Sequence, residues 1–379
     1  MILKNTKFKY RKAREMILDA ILSGNLAPDS VLPSEQKLCG KLGVSRITLR
    51  AALHELEQDG IIIKQNGRPS QVNPEALRKQ QTPLRRIAWV DTSPIGYTNQ
   101  VYFDIFRSVS EQAVLRNVKL DYISLYASAM AENFFRKQHE YDGLILGEFS
   151  RELKKYLPRI THPNTISVDC PRPGIAHCVK TDCYLGGQLA AETLLKSGRR
   201  LLACLGYAES EVDYPPFRER LRGFCDYLER AGYPLAPERI LTIVTAEDEN
   251  DFAGFLKKHR SILQKSDGLF VLMDRFAIGA INSLPELGLR IPDDLAIIGF
   301  DGQIYSRFVS PVLTTIRQPV EEIGRKALEI VLNPAESASY PDIVQIPPVL
   351  QSGATVQTNN DESSVSKNKP YKTRKGNQK

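Results

Sequence analysis

In the first 73 residues, apolar positions recur first at helical spacing and then in two short runs separated by a turn. Residues 9–22 carry apolar side chains at intervals of three and four, which predicts a helix. A second helix starts after Ser34, and a third covers residues 45–58, where leucines recur on one face. Two short apolar strands flank Asn66-Gly67, a dipeptide that favours a tight hairpin turn. Three helices and a hairpin in this order predict a winged helix-turn-helix.

From residue 85 to residue 357, short apolar runs alternate with amphipathic stretches. The predicted strands are Arg86–Val90, Leu120–Ile123, Gly143–Leu146, Thr165–Val168, Leu201–Leu205, Ile240–Val244, Gly268–Leu272 and Leu295–Gly299. The predicted helices are Phe103–Arg116, Gly186–Lys196, Phe217–Ala231, Asp251–Leu263 and Ala277–Leu287. This alternation is typical of an α/β fold with doubly wound parallel sheets, whose ligands bind at the carboxyl ends of the strands.

Two segments have neither pattern. Residues 74–84 are polar and contain flanking prolines, as expected of a linker, and residues 358–379 contain almost no apolar side chains and should be disordered. We therefore expect four parts: a head (1–73), a linker (74–84), a body (85–357) and a basic tail (358–379).

The charge is divided unevenly among these parts. Residues 1–86 hold 16 Lys and Arg against 8 Asp and Glu, whereas residues 87–357 hold 29 against 34. The last 22 residues hold 6 against 2. A polyanionic partner is therefore expected for the head alone.

Cysteine and histidine spacing gives no sign of a metal site. The six cysteines form no Cys-x-x-Cys pair and have no histidine at ligand spacing, so we expect core thiols in a reducing compartment, and neither metal nor cofactor. The N-terminus lacks the apolar stretch of a signal peptide, and no run of 18 apolar residues occurs. These features predict a cytoplasmic protein that does not contact a membrane.

Motifs in the head occur in a characteristic order. They are Leu32-Pro33-Ser34-Glu35, Gly43-Val44-Ser45-Arg46, Thr48-Leu49-Arg50, Ala52-Leu53, Leu56, Asp59-Gly60 and Asn66-Gly67. With them the head resembles the DNA-binding domain of the GntR family of bacterial regulators. One departure is Gln36, where that family usually has Arg. An amide can pair with adenine whereas Arg prefers guanine, so Gln36 predicts a changed preference at one base pair. A solvent-facing Gln36 without a role is the alternative.

A second group of motifs lies in the body. They include Tyr141-Asp142-Gly143-Leu144-Ile145, Val168-Asp169, Val179-Lys180-Thr181-Asp182, Arg220-x-x-Gly223-Phe224, Met273-Asp274, Ile291-Pro292-Asp293-Asp294, Gly299-Phe300-Asp301 and Leu313-Thr314-Thr315-Ile316-x-Gln318-Pro319. The body thereby resembles the LacI/GalR regulators, whose effector domain is similar to periplasmic sugar-binding proteins. The combination is similar to AraR-type regulators, which implies a two-lobed body and a sugar-like effector. It does not identify arabinose as the ligand.

The start of the third helix is the expected DNA-reading element. Ser45 can cap this helix, and Arg46, Thr48 and Arg50 can face the major groove from its positive end. An arginine that only clamps phosphate remains the alternative to base reading. The further candidates for DNA contact are Gln36 in the second helix, and Lys64, Asn66, Gly67 and Arg68 at the wing.

The effector-binding candidates lie at or near the ends of predicted strands. Asp169 and Asp301 can accept hydrogen bonds from sugar hydroxyls, and Arg220 matches the ligand-binding arginine of the resembled family. For Asp169 the alternative is an N-cap or loop carboxylate, for Arg220 it is a surface ion pair, and for Asp274 it is a helix cap. Candidates for an apolar wall are Tyr102, Phe270 and Met273, each of which could equally belong to the core. Related sugar binders often have a polar residue in place of Met273.

Together these features predict a ligand-responsive transcription regulator, most simply a repressor of carbohydrate-utilisation genes. It would act as a homodimer on a near-palindromic double-stranded DNA operator, with a sugar or sugar derivative as effector. An activator, or a regulator that senses a partner protein, is the alternative. An enzyme is disfavoured because the chain lacks Gly-x-Ser-x-Gly, Gly-x-x-x-x-Gly-Lys-Ser/Thr and clustered histidines. An α/β sugar-binding transport protein is disfavoured because it would need a signal peptide, and both alternatives leave the basic head unexplained.

Overall fold

A computed structural model describes residues 4–22, 25–27, 30–64, 69–73, 85–92, 99–148, 151–207 and 214–357. The predicted linker and tail, and the wing residues Asn66, Gly67 and Arg68, lie outside these ranges. Within the described part of the chain, no helix is long and apolar enough to cross a membrane.

The head is a winged helix-turn-helix, as predicted. Its elements are α1 (Lys4–Leu22), α2 (Glu35–Leu42), α3 (Arg46–Gln58), β1 (Ile62–Ile63) and β2 (Gln71–Val72). The two strands pair antiparallel, with Ile62 opposite Val72. The inner faces of the helices bury an apolar core that includes Ile17, Leu49 and Leu56, so the direction of α3 is fixed by packing.

The tight turn between α2 and α3 follows from two kinds of cap. Gly43 ends α2 with a φ of 64°, a left-handed conformation that suits glycine. Ser45 then caps α3, where its hydroxyl accepts a hydrogen bond from the Thr48 backbone N–H at 3.2 Å.

The N-terminal lobe of the body is a parallel six-stranded sheet. Its strands are β3 (Arg85–Asp91), β4 (Val118–Ser124), β5 (Gly143–Leu146), β6 (Thr165–Val168), β7 (His177–Thr181) and β13 (Ile343–Ile346), in the order β13-β7-β6-β5-β3-β4. The covering helices are α4 (Gln100–Leu115), α5 (Ser128–Lys137) and α12 (Val320–Leu332). The sheet is apolar on both faces, as expected of parallel strands covered by helices.

The C-terminal lobe has a second sheet of six strands. They are β8 (Leu202–Tyr207), β9 (Ile240–Ile243), β10 (Gly268–Val271), β11 (Ala296–Asp301), β12 (Thr314–Arg317) and β14 (Val349–Gln351), in the order β14-β12-β11-β10-β8-β9. Only the β12–β14 pair is antiparallel among these pairings of described residues. The helices are α6 (Cys183–Lys196), α7 (Pro215–Arg230), α8 (Ala246–Asn250), α9 (Phe252–Lys258), α10 (Arg260–Leu263) and α11 (Asp274–Ser283).

The chain passes between the lobes three times: after β7, between β12 and α12, and between β13 and β14. Two of these crossings are joined directly, because the Thr181 hydroxyl donates to Gln318 Oε1 at 2.6 Å. Three crossings of this kind form the hinge of a two-lobed body, and the space between the lobes is the cleft.

Some elements differ from the predictions. The helix predicted over Asp251–Leu263 is divided into α9 and α10, because His259 Nδ1 lies 2.9 Å from the Phe255 carbonyl and competes for it with the backbone. Helices α5, α8 and α12 were not predicted, and neither were the strands β7, β12, β13 and β14.

Candidate functional sites: the recognition helix and the cleft

The start of α3 presents two arginines to solvent. Arg46 and Arg50 are both exposed, and Arg50 Nε lies 3.0 and 3.1 Å from the two carboxylate oxygens of Glu35 on α2. This hydrogen bond lowers the pKa of Glu35, and the charges of Arg46 and Lys64 lower it further. Glu35 thus holds one guanidinium in place within a basic surface, which suits a helix end that meets phosphates and base edges.

Thr48 does not face the groove, contrary to the prediction. Its side chain is 3% exposed, and its hydroxyl lies 2.8 Å from the Ser45 hydroxyl. Thr48 therefore packs against the core side of α3 and fixes the first turn. The side of α3 that faces solvent carries Ile47, Arg50 and His54 instead, at intervals of three and four. Gln36 and Lys64 are exposed, so the structure leaves both available for contact.

Arg220 and Asp301 meet in the cleft. Arg220, on α7, is 1% exposed, and its Nη1 lies 3.2 Å from Asp301 Oδ1 at the end of β11. The guanidinium also lies over the ring of Phe300 at 3.7 Å and donates to the carbonyl of Leu272. Gln318 Nε2 donates to Asp301 Oδ1 at 2.9 Å. Arg220 is therefore a buried ion-pair partner and not a surface residue.

Asp274 follows β10 and lies close to the Arg220–Asp301 ion pair. It is the first residue of α11, but its side chain does not cap that helix. Asp274 Oδ1 accepts from the Thr315 hydroxyl at 2.6 Å, and Oδ2 accepts from the Gln303 backbone N–H at 2.9 Å. Asp274 thereby anchors the loop that follows Asp301. Burial, and next the charge of Asp301, raises the pKa of Asp274 well above its ordinary value.

Asp169 lies at the opposite wall of the cleft. It follows β6 with a φ of 64° and is fully buried, and its Oδ2 accepts a hydrogen bond from the Tyr214 hydroxyl. Its Oδ1 receives no hydrogen bond from the described residues. Tyr102 of α4 is buried nearby, where burial and then the charge of Asp169 raise the pKa of its phenol. Asp169, Tyr102, Arg220 and Asp301 thus lie in one region of the cleft, and their binding of an effector stays a prediction.

Phe270 is not part of the cleft wall. It is fully buried in β10, and its ring packs against Phe224 with centroids 4.9 Å apart, in the core of the C-terminal lobe. Met273 is half-buried and packs against the other core cluster of that lobe. Phe270 therefore belongs to the core, and half-buried Met273 packs against it, which is the alternative given for both residues above.

Several cleft residues were missed as site candidates. Tyr214 stands immediately before α7, and Gln303 follows β11. Their positions beyond strand ends were the available signal. A cavity of about 600 Å³ borders Asp301, Gln303 and Gln318, but its lining continues to Lys12 and Glu15 of α1 and does not include Asp169 or Arg220.

The lobes are tied together beside this group. Lys180, at the end of β7, is 1% exposed, and its Nζ lies 2.6 Å from Glu219 Oε1 on α7 of the other lobe. The Tyr214–Asp169 hydrogen bond also joins the two lobes. Among the described residues, no group of three or more His, Cys, Asp or Glu side chains could hold a metal ion.

Two families of known proteins match separate parts of the chain. Residues 9–72 match the bacterial regulatory proteins of the gntR family, and residues 191–356 match the periplasmic binding protein-like domain. The head is thus a gntR-type DNA-binding domain and the body contains a periplasmic binding protein-like domain, a combination that defines a DNA-binding transcription regulator. This combination is similar to that of the AraR-type regulators.

Individual relatives support the same assignment. The chain is 28% identical over 364 residues to the arabinose metabolism transcriptional repressor of Geobacillus stearothermophilus, covering 89% of this chain and 94% of that protein. It is 27% identical over 248 residues to the ribose operon repressor of Escherichia coli K12, covering 62% and 72% respectively. The solved complex of the transcriptional regulator CelR with cellobiose shares the fold, with a TM-score of 0.60 and 17% identity over 86% of this chain and all of that one.

Proposed function

We propose that the protein represses carbohydrate-utilisation genes and that a sugar or sugar derivative, bound in the cleft, changes its affinity for the operator. The observation that carries this proposal is a set of buried polar atoms without partners among the described residues: Asp169 Oδ1, Arg220 Nε and Gln303 Oε1. Buried polar groups are normally hydrogen-bonded, so a ligand with several hydroxyl groups is the natural complement. The relatives named above are repressors of arabinose and ribose genes.

The proposal includes a homodimer on a near-palindromic operator. A short 3-10 helix, Ile304–Arg307, and the residue after it expose three large apolar side chains, Ile304, Tyr305 and Phe308. An exposed apolar patch of this kind suits contact with a second copy of the chain, and the resulting dimer would present two heads to the operator. In this proposal the head comprises residues 1–73, the linker 74–84, the body 85–357 and the tail 358–379, and the protein acts in the cytoplasm without enzymatic activity.

A thermal-shift screen of monosaccharides, disaccharides and sugar phosphates tests the effector. A true effector stabilises the folded protein, by about 2.7 kcal/mol at one hundred times its dissociation constant. Asp169→Asn should abolish this shift, whereas Asp293→Asn, at an exposed carboxylate with only a 3.6 Å contact to Arg290, should keep it.

The output is tested with the same sugar in transcription assays. A promoter with a site selected from random duplexes should be silenced by the protein and released, or silenced further, by the sugar. Higher transcription on adding the protein would identify an activator. A wild-type protein that reads DNA but responds to no sugar would indicate a partner-sensing regulator.

A further inference from the structure

The exposed side of α3 carries a large apolar residue. Ile47, the second residue of the helix, is 78% exposed. It shares this side with Arg50, which is three residues further along and also exposed. An isolated apolar side chain on a surface is common, but this one lies between two arginines at the helix end that meets DNA.

Ile47 contributes nothing to the core of the head. The buried residues of α3 are Thr48, Leu49, Ala52 and Leu56, which lie on the opposite side of the helix. A β-branched residue is also less favourable in a helix than alanine. The stability of the head therefore gives no reason for isoleucine at this position.

The surroundings hold Ile47 in a fixed position relative to Arg50. The Ser45 hydroxyl caps the first turn, and Glu35 binds the Arg50 guanidinium with two contacts near 3 Å. Residues three apart on a helix have Cβ atoms about 5–6 Å apart. Because successive base pairs are about 3.4 Å apart, Ile47 and Arg50 would cover base pairs one or two steps apart.

We propose that Ile47 reads thymine by packing against its C5-methyl group in the major groove. This inference rests on the proposed function, in which α3 enters the operator. Among the four bases, only thymine presents an apolar group in the major groove, and polar base edges would lose water against isoleucine without a hydrogen bond in return. Ile47 is then a specificity-determining residue that complements the polar reading by Arg46 and Arg50.

The test removes only the methyl group. The full-length protein first selects its preferred duplex from a random library, and each thymine of the half-site is then replaced by deoxyuridine. We expect one thymine at which the replacement weakens wild-type binding about three- to tenfold, the effect of one or two methyl-sized contacts. Ile47→Ala should lose a similar factor on the thymine duplex and show no further loss on the deoxyuridine duplex.

A matched variant separates this effect from general loss of apolar surface. Val31→Ala changes another exposed β-branched residue of the head, 57% exposed and outside α3, and should keep the full sensitivity to deoxyuridine. The proposal is overturned if no thymine is sensitive in the wild type, or if Ile47→Ala retains the sensitive position. Selection that yields no preferred duplex would refute DNA reading itself, and is thus distinguishable from failure of the methyl contact.

Discussion

At the scale of single residues, the carboxyl groups of Asp274 and Asp301 dominate the electrostatics of the cleft. Burial raises the pKa of Asp301 to about 6, although the neighbouring Arg220 opposes this rise. Burial, and next the charge of Asp301, also raises the pKa of Asp274. Both oxygens of Asp274 accept hydrogen bonds from the described residues, whereas Asp301 accepts from Gln318 and pairs with Arg220.

The raised pKa of Asp301 predicts a pH dependence of folding. In the unfolded chain an aspartate has a pKa of about 3.9, so between about pH 4 and pH 6 the folded protein binds more protons than the unfolded chain. The free energy of unfolding should accordingly fall as pH rises through this window, by at most about 3 kcal/mol from this group, and should level off above it. Urea unfolding from pH 4.5 to 7.5, with Asp301→Asn alongside the wild type, measures this contribution as the difference between the two.

Asp294 provides the control for this experiment. It is partly exposed, and its hydrogen bonds with Arg290 lower its pKa to about 2, so its contribution is lost only as pH falls below the window. Asp294→Asn should leave the slope between pH 4.5 and 6.5 unchanged. If the free energies of unfolding of wild type and Asp301→Asn differ by the same amount across the window, Asp301 titrates at its ordinary pKa.

The residue roles that the sequence predicted correctly depend on local pattern. Ser45 caps α3 because capping requires only a hydroxyl before a helix start. Thr48 was misassigned, although it stands four residues before buried Ala52 and so belongs to the apolar face. Tyr214 could not be assigned, because its partner Asp169 lies 45 residues earlier in the chain and in the other lobe.

At the scale of elements, the close approach of α6 and α7 positions Arg220. An added Cβ at Gly187 would lie 2.0 Å from the Arg220 carbonyl oxygen, and one at Gly223 would lie 2.0 Å from the Tyr184 carbonyl oxygen. Both neighbours are backbone atoms, which cannot rotate away. The two glycines thus set the helix separation that places Arg220 beside Asp301.

Gly223→Ala should therefore affect both stability and ligand binding. The added methyl group must push α7 away from α6, at a cost of about 1–3 kcal/mol typical of overpacking. The same movement displaces Arg220, which precedes Gly223 by one turn, and should weaken effector binding. Urea unfolding and titration calorimetry with the effector from the screen measure the two effects.

Gly40→Ala is the matched comparison for this substitution. An added Cβ at Gly40 meets nothing within 4 Å, and the residue lies in α2 of the head. Alanine should stabilise that helix by up to about 1 kcal/mol and leave effector affinity unchanged. Wild-type affinity and stability in Gly223→Ala would show that the added methyl group is accommodated without displacing α7 or Arg220, contrary to the role proposed for the contact.

Elements were predictable where a single apolar run or stripe defines them. The strand from Gly143 to Leu146 agrees residue for residue with β5, because a fully buried parallel strand is apolar throughout. Helix α12 was missed, and Gly324 stands in the middle of its apolar pattern. An added Cβ at Gly324 would lie 2.6 Å from the Ser108 side chain on α4, so the glycine serves a long-range contact that the local sequence does not reveal.

At the scale of the whole molecule, contacts across the cleft hold the two lobes together. The Lys180–Glu219 ion pair and the Tyr214–Asp169 hydrogen bond both run from β-strand ends of the N-terminal lobe to α7 or the residue before it. Arg220 lies on the same helix. Any ligand that changes the position of α7 therefore changes contacts with both lobes, which provides the differential free energy that a ligand-controlled switch requires.

Removing the charge of Glu219 should weaken this connection. Glu219→Gln leaves the ammonium group of Lys180, which is 1% exposed, without its counter-charge. Loss of one partner of a buried pair costs about 3–5 kcal/mol, but Glu219 is one-third exposed, so we expect about 1–3 kcal/mol in urea unfolding. The double variant Lys180→Met with Glu219→Leu should recover much of this loss, because it leaves no unpaired buried charge.

Glu192→Gln, which breaks the 2.7 Å surface pair with Lys196 inside α6, should cost at most about 0.5 kcal/mol. Equal effects of Glu219→Gln and Glu192→Gln would mean that the ion pair across the cleft contributes no more to folding than a surface pair.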